Sequence, residues 1–291
     1  MNDEFYKKLK KIADNKNNLS EKEMGEKVHK LIQEEILDSR VISMGKNMEK
    51  ALKMLEKATN AKDPKKAKKY AEEAYKICPD CFDAVLYLVS IEDNPFNALK
   101  ILSDGLEREK KRLKKIKKYG PIDYDDYIDY ITKEPYLNGL LTKIILLTSL
   151  GRLNKAKELC LESLMIDEYD EAGIHFILMS IYACLENDEE LLNLSKEYPE
   201  ETIESLFPLL VLAYKQENDF LAISYMKKLY KINNKFFNYF EDDLDEDFEI
   251  SEDNLDAGMQ LIIYMEAHIF LLDSAPGLDA YIIENKSKVI K

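Results

Sequence analysis

The chain repeats one pattern along most of its length: an apolar helix, a short polar turn and a second helix. Its clearest copy has small residues followed by a proline, at Ala67, Ala71, Ala74 and Pro79. Small residues at this spacing let two helices approach closely, and a proline cannot continue a helix. Residues 48–61 carry an apolar face upstream, and Asp63 with Pro64 supplies the turn between the helices. The pattern predicts a helix–turn–helix unit of about 34 residues.

The same unit recurs down the chain. Equivalent positions in the second helix of each unit are Ala67, Ala98, Ala156, Leu191 and Ala222. Their spacings are 31, 58, 35 and 31 residues, so the long interval marks an insertion, which we place at 107–135. A repeat that cannot bury its own apolar face must stack on its neighbours. With only nine glycines and eight prolines in 291 residues, the chain is predicted to be all-α, its helix pairs forming an α-solenoid.

The flanks of the repeats also have helical patterns. Ser20 to Glu23 forms a capping box at the start of an amphipathic segment, and 257–272 is an apolar helical stretch. We therefore predict three parts. They are a helical N-terminal extension at 1–44, the repeats at 45–235, and an acidic segment with C-terminal capping helices at 236–291.

Five short markers occur in order along about three-quarters of the chain. They are Ile77-Cys78-Pro79-Asp80-Cys81-Phe82-Asp83-Ala84, Pro135-Tyr136, Gly151-Arg152, Ile166-Asp167-Glu168-Tyr169-Asp170-Glu171-Ala172-Gly173-Ile174 and Ser274-Ala275-Pro276-Gly277-Leu278. With the repeat spacing, they make the chain resemble a tetratricopeptide-repeat protein. More narrowly, it resembles the bacterial tetratricopeptide domain related to the suppressor-of-tumorigenicity family. The resemblance implies a right-handed solenoid whose first helices line a concave groove, and it implies no established reaction.

Aligning the units on this resemblance gives a set of candidate groove residues. They are Leu86, Ser90, Asn138, Leu141, Ile145, Phe207, Val211 and Tyr214. Relatives that grip a peptide carboxylate use lysines and asparagines at such positions, whereas here only Asn138 is of that kind. We therefore expect an apolar or basic segment in the groove, supplied by a partner or by the chain's own C-terminal helix. The alternative is that several of these residues are inter-repeat core.

Charge is distributed unevenly. The net charge is −14. All of it lies between Lys235 and Lys286, where acidic residues occur without any lysine or arginine, so the remainder of the chain is neutral. The opposite pole is the lysine-rich helix 107–118. The charged candidates for docking are Lys110, Lys111, Lys114, Lys115, Lys118, Asp243, Asp245 and Asp247. The basic helix could be a solvated face or could meet the acidic segment 241–256 of a second copy. Nucleic-acid binding needs such a patch too, but the acidic net charge argues against it.

Cysteine and acidic patterns give no metal site. Cys78 and Cys81 form a C-x-x-C, yet no second pair supplies two further zinc ligands and no strand places it in a redox fold. The Asp243-x-Asp245-x-Asp247 run has Phe248 and Asn254 where a calcium loop needs glycine and glutamate. No catalytic motif is present, so we expect no cofactor, no metal and no enzymatic activity.

The N-terminal stretch 1–11 is charged and lacks the apolar core of an export signal. No apolar run approaches the roughly 18 residues of a membrane span. Four cysteines without an export signal indicate the cytoplasm. We therefore expect a cytoplasmic, non-catalytic protein–protein interaction module or adaptor. The alternative is a homo-oligomeric structural protein that joins the basic helix 107–118 to the acidic segment 241–256.

Overall fold

A computed structural model of the chain describes residues 10–12, 23–24, 27–28, 30–31, 46–118, 126–167, 169–241 and 257–290. Regular structure in these ranges is helical, and they contain no strand. The prediction of an all-α protein is therefore confirmed. No helix in the described part of the chain is long and apolar enough to cross a membrane.

From residue 46 onward the helices follow one another with short connections. They are α1 (Lys46–Thr59), α2 (Pro64–Ile77), α3 (Phe82–Ser90), α4 (Pro95–Lys118), α5 (Asp126–Ser149), α6 (Leu153–Ile166), α7 (Ile174–Leu185), α8 (Asp188–Glu197), α9 (Ile203–Lys215), α10 (Asp219–Ile232), α11 (Phe236–Phe240), α12 (Ala257–Ala267), α13 (Ile269–Asp273), α14 (Leu278–Glu284) and α15 (Lys286–Val289).

The chain divides into two compact units, 1–139 and 140–291. The division falls inside α5, between Gly139 and Leu140, and so differs in position from the boundaries predicted at 44/45 and 235/236. Helix α5 begins at Asp126, so the second half of the predicted insertion is helical and continuous with the next repeat. The three-part division stays a prediction.

In the N-terminal unit, two helix pairs pack on each other. Helix α1 packs on α2, α3 packs on α4, and α3 also contacts both helices of the first pair. The turn after α1 is built as the sequence predicts, because an Asp63 side-chain oxygen accepts the Lys65 N–H at 3.0 Å and Pro64 begins α2. Small side chains, Ala58 and Ala71 among them, are fully buried where the helices meet.

Two glycines allow close approach in this unit. A Cβ on Gly139 would lie 2.5 Å from the Phe82 ring and 2.7 Å from a Leu106 methyl group. A Cβ on Gly105 would lie 2.6 Å from a Val85 methyl group. Because ordinary contacts between carbon atoms are about 3.5–4.0 Å, neither position has room for a larger residue unless its neighbours shift.

In the C-terminal unit, α7 and α9 are central. Helix α7 contacts α6, α8 and α9, and α9 in turn contacts α8 and α10. In the two units, the residues that the sequence aligns across the predicted repeats are all buried, namely Ala67, Ala98, Ala156, Leu191 and Ala222. The spacing argument therefore identified buried positions.

The marker 166–174 has a structural explanation. Its two aspartates cap the turn that leads into α7. Asp167 accepts the N–H groups of Tyr169 and Glu171, while Asp170 accepts those of Ile174 and His175 at 2.7 and 2.9 Å. Asp170 has a φ of 46° and Gly173 a φ of 66°, and both residue types tolerate this left-handed region.

Two features of the C-terminal region differ from the expectation. The stretch predicted as one helix over 257–272 is interrupted at His268, which separates α12 from α13. The short helix α11, an aromatic run, was not predicted, because no turn signal isolates it in the sequence. Both features bear on the candidate site, since α12 and α13 contact α9 and two rings of α11 lie near Phe207.

Candidate binding cleft

The C-terminal helices of the chain lie against α9, where the sequence placed groove residues. Phe207, with 0% of its surface exposed, is surrounded by the rings of Phe236, Phe240 and Tyr264. The distances from its ring centroid to theirs are 6.5, 6.3 and 6.0 Å. Pairs edge-to-face or stacked at such distances add to the burial of each ring. This face of α9 is thus covered by the chain's own aromatic residues.

Hydrogen bonds join the end of α9 and the start of α10 to the C-terminal segment. The Tyr214 hydroxyl donates to the Pro276 carbonyl at 2.8 Å, and the Tyr281 hydroxyl donates to the Asp219 carboxylate at 2.8 Å. The two tyrosine rings lie 5.1 Å apart. Burial, followed by the Asp219 contact, raises the pKa of Tyr281 to about 12, so its proton stays on this bond at neutral pH.

These contacts show where three of the predicted groove residues lie. Phe207 and Val211 are fully buried, and Tyr214 is half-buried. Phe207 and Tyr214 contact the chain's own C-terminal segment. Filling by the C-terminal helices was one of the two occupants expected from the sequence. The other candidates lie elsewhere: Ser90, Asn138 and Ile145 are exposed, while Leu86 and Leu141 are half-buried.

The charged docking candidates are only partly within the described residues. Lys110 is half-buried and Lys111 is exposed on α4. The side chains of Lys114, Lys115 and Lys118, and all of Asp243, Asp245 and Asp247, lie outside the described part. One basic residue of α4 bonds within the N-terminal unit: Arg108 donates to the Tyr75 hydroxyl at 2.9 Å and to the Pro79 carbonyl at 3.1 Å.

A cleft of about 530 Å³ opens beside the covered face, where the start of α9, the end of α10 and helix α12 meet. Its lining residues are Glu201, Thr202, Ile203, Glu204, Ile232, Gln260, Ile263, Tyr264, Ala267 and His268. A volume of this size falls in the range of ligand sites, which combine mostly apolar walls with a few convergent polar groups.

Aliphatic side chains form the walls. Ile203 is buried at the base, whereas Ile232 and Ile263 keep large exposed fractions, 43% and 48%. Isolated exposed aliphatic residues are common on proteins, but these two share one concave surface with a buried third. An apolar group that entered the cleft would remove all three from water.

Two carboxylates line the cleft, and they differ in their ion pairing. Glu201 forms an ion pair with Lys228, with 2.6 Å between the Nζ and a carboxylate oxygen. The Lys228 contact lowers the pKa of Glu201. Glu204 is half-buried and has no ion-pair partner among the described residues. The cleft therefore holds one carboxylate that no cation among the described residues neutralises.

Tyr264 and His268 occupy successive turns of α12, and their rings stack with 4.4 Å between centroids. The His268 Nδ1 lies 3.0 Å from the Tyr264 carbonyl. A carbonyl can only accept, so Nδ1 carries the proton and the neutral ring keeps its lone pair on Nε2. Burial lowers the pKa of His268, which favours this neutral form.

Polar atoms of both rings are sealed from solvent. The His268 Nε2 and the Tyr264 hydroxyl oxygen have no hydrogen-bond partner within the described ranges. Burial raises the pKa of Tyr264, and the nearby Ser180 hydroxyl opposes that rise. Buried polar atoms are nearly always bonded in folded proteins. The described residues have three exceptions, of which His175 Nε2 lies elsewhere and the other two lie behind this cleft.

Two other polar clusters have structural explanations. His175 is buried against Asp170, with 2.5 Å between Nδ1 and a carboxylate oxygen, and its ring stacks on Tyr198 at 4.0 Å. This pair holds the turn before α7. Burial raises the pKa of Cys160 to about 12, with the Asp170 charge adding to the effect, so its thiol stays protonated.

The C-x-x-C residues belong to the core of the N-terminal unit. Cys78 and Cys81 are buried with Met48 and Ala84 where α2 meets α3. Burial raises the pKa of Cys78, which is the opposite of what a reactive thiol requires. Within the described ranges, no three histidine, cysteine or acidic side chains are grouped as metal ligands would be.

A larger cleft of about 820 Å³ lies among α11, α12, α13 and α14. Its acidic lining residues are Asp273 and Asp279. None of its described lining residues carries a buried polar atom without a partner. The smaller cleft therefore has the stronger features of a binding site.

Comparisons with known proteins identify no relative. No protein-family model, no curated protein and no solved structure matches the chain. The site therefore has to be argued from its own residues.

Sequence reasoning did not find this cleft. Its residues come from helices about 60 positions apart, and no motif links Glu204 with Ile263 or His268. Two signals were present, a histidine within an apolar helical stretch and the absence of lysine and arginine around it. Neither one is specific without the fold that brings the start of α9 beside α12.

Proposed function

We propose that the chain is a non-catalytic protein–protein interaction module, built of tetratricopeptide-like helix pairs in a right-handed solenoid and acting in the cytoplasm. The repeat spacing and the packing order support this architecture. Within the N-terminal unit the first helices of successive pairs, α1 and α3, contact each other, and α7 and α9 do so in the C-terminal unit. Helix pairs that stack in this way present their first helices along a common face.

The cleft at α9 and α12 carries the proposal. It combines two exposed isoleucines, Ile232 and Ile263, with the carboxylate of Glu204, which has no ion-pair partner among the described residues. A surface that is apolar in its walls and acidic at one point suits a segment that is itself apolar and basic. This is the class of ligand that the sequence favoured, now assigned to a different place on the C-terminal unit.

Affinity capture with matched variants tests this function. Ile263 is 48% exposed inside the cleft, and Ile269 is 51% exposed but is not among the cleft residues. We expect Ile263→Glu to abolish recovery of a stoichiometric partner from extracts of the native host, and Ile269→Glu to retain it. Equal recovery by both variants would reject the cleft as the binding site, and recovery of no partner by the wild-type chain would reject the module.

A second candidate is self-association through the charged poles. The observation that favours it is the separation of charge, with a lysine-rich helix at 107–118 and no lysine or arginine over 236–285. Because contacts between exposed charges are screened by salt, a complex of this kind weakens as ionic strength rises. Sedimentation velocity at 50 mM and 500 mM NaCl tests self-association. A dimer that dissociates at high salt supports self-association through the charged poles, and a monomer at both salt concentrations excludes it.

A further inference from the structure

We infer that the cleft receives one lysine or arginine side chain of a partner polypeptide, flanked there by aliphatic residues. The inference rests on the proposed function and specifies the ligand of that site. Three observations carry it: the hydrogen-bonding character of the lining groups, the absence of a cation from this part of the chain, and the shape of the apolar walls.

The Glu204 carboxylate is the charged group of the lining that has no ion-pair partner among the described residues. An ionised carboxylate accepts hydrogen bonds and donates none. His268 offers no competing donor, since its Nδ1 proton is used on the Tyr264 carbonyl at 3.0 Å and its Nε2 is sealed from solvent. A ligand that meets Glu204 has to supply donors, and ammonium and guanidinium groups supply them together with the opposite charge.

The chain supplies no cation of its own from the C-terminal helices at the cleft. No lysine or arginine occurs from Phe236 to Asn285, a range that includes the whole of α12. On α10, Lys228 pairs with Glu201 at 2.6 Å, and Lys231 also helps to lower the pKa of Glu201. Within the described part of the chain, the Glu204 carboxylate has no ion-pair partner and is open to a cation from a ligand.

The apolar walls select a cation that has an aliphatic stem. Ile232 and Ile263 flank the opening, and Ile203 lies buried beneath. Lysine and arginine cover apolar surface with their methylene groups while the charged end reaches a polar partner. A volume of about 530 Å³ leaves room for one such side chain together with parts of its neighbours.

The experiment uses end-capped synthetic heptapeptides, Ac-Ser-Ile-Leu-Xaa-Ile-Leu-Ser-amide, titrated into the full chain by calorimetry. The central residue Xaa is lysine, arginine, norleucine or glutamate, so charge varies while the aliphatic flanks stay fixed. We expect the lysine and arginine peptides to bind at least about tenfold more tightly than the norleucine peptide, which corresponds to about 1.4 kcal/mol. The glutamate peptide should bind most weakly.

Chain variants separate the inference from the proposed function. Glu204→Gln should remove the tenfold preference for lysine over norleucine and leave the affinity for the norleucine peptide unchanged. Glu189→Gln, at an exposed position of α8, should preserve the preference. Ile263→Glu should weaken all neutral and acidic peptides. If norleucine and lysine peptides bind equally and both depend on Ile263, the inference is wrong and the proposed function survives. If no peptide shows binding that depends on Ile263, both are wrong.

Discussion

Replacing Phe207 tests whether the C-terminal helices really cover α9. The side chain is 0% exposed and contacts three aromatic rings from α11 and α12. Burying a phenylalanine stabilises a fold by about 1.5–3 kcal/mol, and the cavity left by truncation raises the cost of Phe→Ala to about 3–5 kcal/mol. We expect Phe207→Ala to lower the free energy of unfolding by that amount. Phe96→Ala, at a position 57% exposed, should change it by less than about 0.5 kcal/mol.

Urea unfolding followed by far-ultraviolet circular dichroism measures both values, since the chain has no tryptophan to report by fluorescence. A double-mutant cycle with Phe240→Ala then isolates the contact, and a ring pair of this kind should couple by about 0.5–1.5 kcal/mol. A cost below about 1 kcal/mol for Phe207→Ala, with no coupling to Phe240, would show that α11 does not pack on α9 in solution.

Three further changes have expected outcomes. Gly139→Ala places a Cβ 2.5 Å from the Phe82 ring, so we expect overpacking to exceed the gain in helix propensity of about 1 kcal/mol, and urea unfolding should show net destabilisation. A more stable variant would contradict the close approach. Asp170→Asn replaces one of the two accepting oxygens by an NH2 group, so either Ile174 or His175 loses its acceptor; it should cost about 1–3 kcal/mol in thermal unfolding, whereas an unchanged midpoint would show that this turn does not depend on the carboxylate. Because burial lowers the pKa of His268, the unfolded chain binds the extra proton, so stability should fall as pH drops below about 6.5. His268→Gln should make that fall shallower, and identical pH profiles would refute the assignment.

The all-α class and the pairing of successive helices were the most predictable features of this protein. Helix periodicity, proline terminators and the small residues at Ala67, Ala98 and Ala156 are local signals, and they identified helix pairs and the buried residues between them. The interruption at His268 was not predictable in the same way. It depends on the packing of α12 and α13 around α9, which no local pattern encodes.

Most of the candidate site could not be predicted from the sequence. Periodicity placed Phe207 and Val211 on one helix face, and both are buried, but periodicity gives the face of a helix and not what covers it. The covering residues, Phe236 and Tyr264, lie some 30 to 60 positions away in sequence. The cleft likewise depends on tertiary contacts, because Glu204 and His268 line one cleft only when α9 and α12 pack together.

Site-specific photo-cross-linking in the native host tests the central claim most directly. A benzoylphenylalanine is introduced at Ile263, and the matched control carries it at Ile269. We predict one adduct specific to position 263, mapping to a partner segment with aliphatic residues around a lysine or arginine. The same adducts at both positions, or adducts only with residues 107–118 of a second copy, would contradict binding of a partner in the cleft.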